Sequence, residues 1–202
     1  LFDIKGNKLT ATASDLHSTM NVEIDIQSES DGQIAVPAKK LLETLKTFAE
    51  LPISFAVDQE LFNIELSAGG GRYQLPGQNP ADFPKVPVFE GTNSFEIDAS
   101  ILSKGINKTI FETGMDEFRP AMSGVLFAVK EDGLTLVSTD SHRLVKYLRK
   151  DIKSTSGEFS FIMAKKPLNI IKSILTKEDG IITVESNSIN AFFRFNNIQL
   201  IC

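Results

Sequence analysis

Short alternating runs dominate the chain. Residues 22–26, Val-Glu-Ile-Asp-Ile, alternate strictly, which predicts a strand with carboxylates toward water and Val22, Ile24 and Ile26 toward a core. Residues 62–66, Phe-Asn-Ile-Glu-Leu, do the same. Further strands are predicted over 125–129, 134–138, 159–163, 181–185 and 191–195, and the turns at 5–8 and 131–133 read as hairpin loops. Three segments carry helical periodicity instead. In 37–50, Leu41, Leu42, Leu45 and Phe48 form one stripe, with Lys39, Glu43 and Lys46 on the other side. In 164–177, Leu168, Ile171, Ile174 and Leu175 point inward, Lys165, Asn169 and Lys172 outward, and Pro167 fits only a first turn. Asp98 is a natural cap for a third helix through about Phe111, with Leu102, Ile106 and Ile110 inward and Lys104 and Lys108 outward, although Gly105 weakens it. A few helices laid on antiparallel sheet make an α+β fold.

The pattern occurs twice. Residues 1–17 align without a gap to residues 126–142, and seven pairs are identical: Leu1/Leu126, Phe2/Phe127, Lys5/Lys130, Leu9/Leu134, Thr10/Thr135, Asp15/Asp140 and His17/His142. Composition alone would give roughly one identity in such a window. Residues 38–40 then meet 164–166 at an offset one residue larger, a loop-length change. A spacing of this size is that of a small domain, so two tandem copies of one fold are expected, over residues 1–92 and 93–202. Copy two has about thirty residues before Leu126, one helix among them, with no counterpart before Leu1. Copy one has a tail, from Leu75-Pro76-Gly77 to Phe83-Pro84, with no counterpart after Leu200. The reading therefore expects a chain cut within a unit at each end, with a third domain absent.

Composition narrows the chemistry. With 42% hydrophobic and 23% charged residues, the 202-residue chain is not wholly disordered. A net charge of −5 argues against bulk attraction to nucleic acid or anionic lipid, so a polyanion must be met by a local patch. The three helical segments are that patch: together they carry +6, leaving −11 elsewhere. Lysine stripes give sequence-independent phosphate contacts, although lysines on a solvated helix face are also routine. One cysteine, Cys202, closes no disulfide within the chain, and no apolar run is long enough to span a membrane.

Other chemistry is weak. Asp140-Ser141-His142 holds the residue types of a hydrolytic triad, yet neighbours on a strand point to opposite faces. Asp140 and His142 would share a face, as would Asp15 and His17, but two ligands do not make a metal site, and an aspartate bonded to nearby backbone explains the repetition better. Gly69-Gly70-Gly71-Arg72 lacks a phosphate-loop pattern and reads as a hairpin turn. Fifteen phenylalanines without a tryptophan suit core packing more than base stacking. No catalytic residue, metal or cofactor is expected.

Ser138-Thr139-Asp140-Ser141-His142-Arg143-Leu144 resembles the T-D-G-H-R-L signature of the bacterial DNA sliding clamp, the beta subunit of DNA polymerase III. Residues 119–127 resemble that family's preceding strand, while Ser14-Asp15-Leu16-His17, Val36-Pro37-Ala38-Lys39-Lys40, Leu75-Pro76-Gly77 and Asp82-Phe83-Pro84 match first-domain landmarks in order. The resemblance implies tandem clamp-fold copies with antiparallel sheets outside and helices lining the inner face of a homodimeric ring around duplex DNA, in the bacterial cytoplasm. It implies a processivity factor without catalysis that tethers the DNA polymerase catalytic subunit, the clamp loader and repair polymerases. It carries a peptide-binding cleft onto Met122, Thr139, Ser141, His142, Arg143 and Leu144, with Met122 and Leu144 as an apolar floor and Thr139 and Arg143 as donors. The opposite wall would lie beyond Cys202, leaving half a cleft. Ser141 replaces the signature glycine and is expected to narrow the rim. DNA-facing lysines would be Lys39, Lys40, Lys46, Lys104, Lys108, Lys165, Lys166 and Lys172; the loop 114–117 is too acidic to join them. The alternative is a repeat scaffold that binds proteins without encircling DNA.

Overall fold

The computed structural model describes residues 1–48, 50–87, 93–114, 118–154, 157–176 and 179–202. It divides into two compact units, one of residues 1–16 and 21–86, the other of 17–20 with 87–202.

In the first unit, β1 (Phe2–Lys5) pairs antiparallel with β2 (Lys8–Ser14) and with β4 (Gly32–Ile34), and β3 (Thr19–Asp25) follows β2 in the order β4-β1-β2-β3. A second sheet holds β5 (Ser54–Asp58), β6 (Asn63–Ala68) and β7 (Gly71–Pro76) in sequence order. Gly69 and Gly70, at φ +54° and +87°, make the two-residue turn between β6 and β7, a geometry that glycine adopts without cost. Among the described residues one α-helix, α1 (Ala38–Leu45), lies on this unit.

The second unit repeats the arrangement. β9 (Gly124–Lys130) pairs with β10 (Gly133–Thr139) and β12 (Phe159–Ala164), and β11 (Leu144–Arg149) pairs with β10. β13 (Ile181–Ser186), β14 (Ala191–Phe195) and β15 (Ile198–Ile201) correspond to β5–β7, with β8 (Asn93–Asp98) added on the far side of β13. The first hairpin closes from Lys5 to Lys8, and its counterpart from Lys130 to Gly133, at the offset of the sequence repeat. Among the described residues two α-helices serve this unit, α2 (Ala99–Thr109) and α3 (Lys165–Leu175), and they pack against each other. Asp98 caps α2 by accepting from the Ser100 amide at 2.8 Å. Gly105, expected to weaken α2, faces Tyr147 so closely that a Cβ would lie 3.2 Å from its ring; the glycine lets helix and sheet approach. Beyond α2 the chain tightens into a 3-10 turn, Ile110–Glu112, and a second one, Pro120–Ser123, leads into β9.

Several expectations need correction. α1 stops at Leu45, with Thr47 and Phe48 continuing only as tight turns onto Thr44 and Leu45; Ala49 of the expected 37–50 helix lies outside the described residues. Leu42, expected inward, is exposed, because one helix of two turns buries only the narrow stripe led by Leu41. Ile24, expected in the core, is also exposed, since β3 leaves cover toward its end. Phe62 precedes β6 at φ +54°, so the alternation begins one residue later. α3 ends at Leu175, and Lys177 of the expected span lies outside the described residues.

Candidate partner-contact loop and lysine-bearing helices

β10 and β11 are joined by a four-residue loop, 140–143, that is held from within. Asp140 Oδ1 accepts from the backbone amides of His142 at 3.0 Å and Arg143 at 2.7 Å, while Oδ2 takes Arg143 Nε at 3.3 Å and Nη2 at 3.0 Å. These amides and the guanidinium hold the Asp140 carboxyl at a pKa of about 2, below the usual carboxylate range, and the carboxylates of Asp140 and Glu112 raise that of Arg143. Thr139 Oγ1 donates to the Arg143 carbonyl at 2.6 Å and accepts from the Ser141 amide at 3.1 Å. The expectation that Asp140, Ser141 and His142 lie along a strand is therefore wrong: they form a turn, so strand alternation does not govern which way they face. The backbone-bonded aspartate stands. Thr139 was expected to offer its hydroxyl to a peptide, but that proton is used inside the loop.

Ser141 sits at φ +76°, in the left-handed region. That is a physical reason for a glycine at this place, since a Cβ there costs backbone energy. The first unit repeats the device: Leu16, at the matching position, has φ +72°, and its amide is 3.2 Å from Ser14 Oγ. Both residues are exposed.

Around the loop, Leu144 opens β11 opposite Thr139 and stands 65% exposed, while His142 and Arg143 face solvent. Met122 is half-buried at the end of its 3-10 turn. Gly114 brings it to the loop: its amide donates to the Met122 carbonyl at 2.8 Å, and a Cβ on Gly114 would fall 3.7 Å from Met122 Cβ and 3.8 Å from the Asp140 Cα. Residues 115–117 of the acidic loop are outside the described residues. From the 3-10 turn after α2, Glu112 reaches Arg143 Nη1 at 3.2 Å; its side chain is only 8% exposed. Sequence reasoning missed Glu112, which stands 31 positions from Arg143 with no local pattern linking them.

The lysines divide by helix. On α2, Lys104 and Lys108 are exposed along a groove with Ser100, Ser103, Asn107, Leu175 and Asp179. Leu102 and Ile106, on the opposite side, are fully buried. On α3, Lys165 and Lys166 line a shallow depression with Asn169, Ile170 and Ser173. Lys166 is exposed, whereas Lys165 and Lys172, expected outward, are half-buried. In the first unit, Lys39 and Lys40 open α1 and Lys46 caps its end, all three exposed. Among the described residues no three or more His, Cys, Asp or Glu side chains gather to hold a metal ion, and no helix is long and apolar enough to cross a membrane.

Comparison with known proteins agrees with this architecture. A clamp structure from Pseudomonas aeruginosa, described as a DNA polymerase sliding clamp with ligand, superposes with a TM-score of 0.92 at 24% identity, over 99% of this chain and 55% of that one, and shares the fold. The Beta sliding clamp of Halalkalibacterium halodurans is 27% identical over 97% of this chain and 53% of its own length. That of Synechococcus elongatus is 30% identical over 86% of this chain and 46% of its own. The chain thus spans about half the length of the curated relatives it matches. Residues 1–87 match the N-terminal domain of the DNA polymerase III beta subunit and residues 96–202 its central domain. With both units matched in order, the chain belongs to the DNA polymerase III beta-subunit family, the sliding clamps.

Proposed function

We propose that this protein serves DNA replication as part of a ring that encircles duplex DNA and tethers polymerases to it, without catalysing a reaction itself. The observation that carries the reading is the pair of helices in the second unit, whose apolar sides are buried while Lys104, Lys108 and Lys166 are exposed and Lys165 and Lys172 half-buried. Lysines that touch phosphates without reading bases give weak, mobile attraction, so a ring held by topology can slide. The first unit carries its own lysines on α1. Eight lysines form the proposed DNA-facing set: Lys39, Lys40, Lys46, Lys104, Lys108, Lys165, Lys166 and Lys172. Ring closure is by two copies of the full-length protein, and the site of action is the bacterial cytoplasm.

The proposed partner-contact wall is Met122, Thr139, Ser141, His142, Arg143 and Leu144. Its apolar part is Leu144 with Met122, and its polar part is the outward edge of Arg143. A short peptide from the polymerase catalytic subunit, the clamp loader or a repair polymerase would seat here. Such tethering raises the enzyme's local concentration on DNA without a tight contact to it.

The test uses closed circular DNA loaded by a clamp loader. Retention that survives moderate salt and ends when the circle is cut is the expected result. Loss from circular and linear DNA at the same rate would instead favour the scaffold that binds proteins without encircling DNA.

A further inference from the structure

All three guanidinium nitrogens of Arg143 face a carboxylate: Nε and Nη2 meet Asp140, and Nη1 meets Glu112 at 3.2 Å. The two acids differ in kind. Asp140 belongs to the loop itself, and its other oxygen serves the turn's own amides. Glu112 comes from a different element, the 3-10 turn after α2, and meets the loop through the Arg143 guanidinium, while the His142 and Arg143 amides are held by Asp140. Its side chain is more than nine-tenths buried, and its Oε2 has no hydrogen-bond partner among the described residues. A buried carboxylate with an unsatisfied oxygen lowers stability relative to a neutral side chain of the same size. Arg143, 71% exposed, could be hydrated without it. The arrangement therefore gives little to the fold and much to the placement of one arginine, the pattern expected where stability is traded for function.

We infer that Glu112 is a positioning residue for partner binding, holding the Arg143 guanidinium against Asp140 so that its outward N–H groups are already aimed when a peptide carbonyl or carboxylate arrives. The inference rests on the reading of this loop as a peptide-contact wall. An arginine is rich in rotamers, and ordering it before binding removes that cost from the association; for one such side chain the gain is about three- to tenfold in affinity. Glu112 touches no partner itself.

The test is an anisotropy titration with a labelled peptide carrying the clamp-contact segment of a replicative polymerase catalytic subunit, beside thermal unfolding of each variant. Glu112→Met removes both oxygens at nearly constant volume, and Glu112→Gln restores one acceptor. The expected result is about three- to tenfold weaker binding for Glu112→Met and an intermediate loss for Glu112→Gln, with melting temperatures equal to or above the parent's. In an Arg143→Ala background, Glu112→Met should add nothing. The inference is overturned if Arg143→Ala weakens the peptide while both Glu112 variants bind as the parent does, if the Glu112→Met loss persists without Arg143, or if it tracks a fall in melting temperature. Unchanged binding by Arg143→Ala would overturn the peptide-wall reading itself, and the role of Glu112 with it.

Discussion

The two units share a strand plan and a strained turn but not a core. Phe127 and Phe2 occupy the same place in the repeat. Phe127 is fully buried and stacked on Phe161 with ring centres 5.1 Å apart, whereas Phe2 is half-buried and meets Phe55 edge-on at 6.1 Å. In the second unit β8 extends the β13 sheet and α2 covers β10 and β11, and the core runs from Phe95 to Leu200. The first unit has no described element in either role, and the buried apolar residues of its core are Ile34, Leu41, Ile64, Leu66 and Leu75. Strand pairing and turns are thus set locally by the repeated residues, while depth of burial depends on what else is laid over the sheet.

The largest expected effect follows directly. Phe127→Ala should lose about 3–5 kcal/mol in urea unfolding, and Phe2→Ala about 1–2 kcal/mol, since cavity cost scales with burial. Equal losses would show that the units are not so differently packed. A smaller and opposite effect should come from the shared turn. Ser141→Gly and Leu16→Gly should each raise stability by about 1 kcal/mol, because each removes a Cβ from the left-handed region. A gain at one position only would mean that the turns differ in spite of their matching φ.

The loop also has a pH signature. Asp140 titrates near 2 when folded and near 3.8 in its ordinary state, so between those values the unfolded chain binds more protons. Its contribution is complete above about pH 4 and disappears as pH falls toward 2. The stability gap between the parent and Asp140→Asn should accordingly be widest at pH 5 and close toward pH 2. A gap independent of pH would separate Asp140 from the turn's amides.

Much of this was legible. The repeat located β1 and β2 against β9 and β10, since side chains recur with their hairpins, and Asp98 with its apolar followers announced α2. No expected strand covers β4, β5, β8, β11 or β15. β11 reads Leu-Val-Lys-Tyr-Leu-Arg, without strict alternation, and becomes a strand by pairing along β10. Residues 140–142 read as strand because Ser141, unlike glycine, gives no local sign of positive φ. Leu42 counts as inward by periodicity yet is exposed, because an apolar position says nothing of how wide the covered stripe is. The bond from Glu112 to Arg143 had no sequence signal, being a product of the fold that brings the end of α2 to the end of β10.

The central claim is that helix lysines, and not lysines in general, meet DNA. It is tested most directly by the salt dependence of DNA affinity for two double variants of the second unit, all four residues being exposed: Lys104→Ala with Lys108→Ala on α2, and Lys130→Ala with Lys146→Ala on the sheet. The helix pair should reduce the slope of log affinity against log salt by up to about 1.8, near 0.9 for each phosphate no longer neutralised, and the sheet pair should leave it unchanged. Equal slopes for the two variants, or a reduction confined to the sheet pair, would contradict the account.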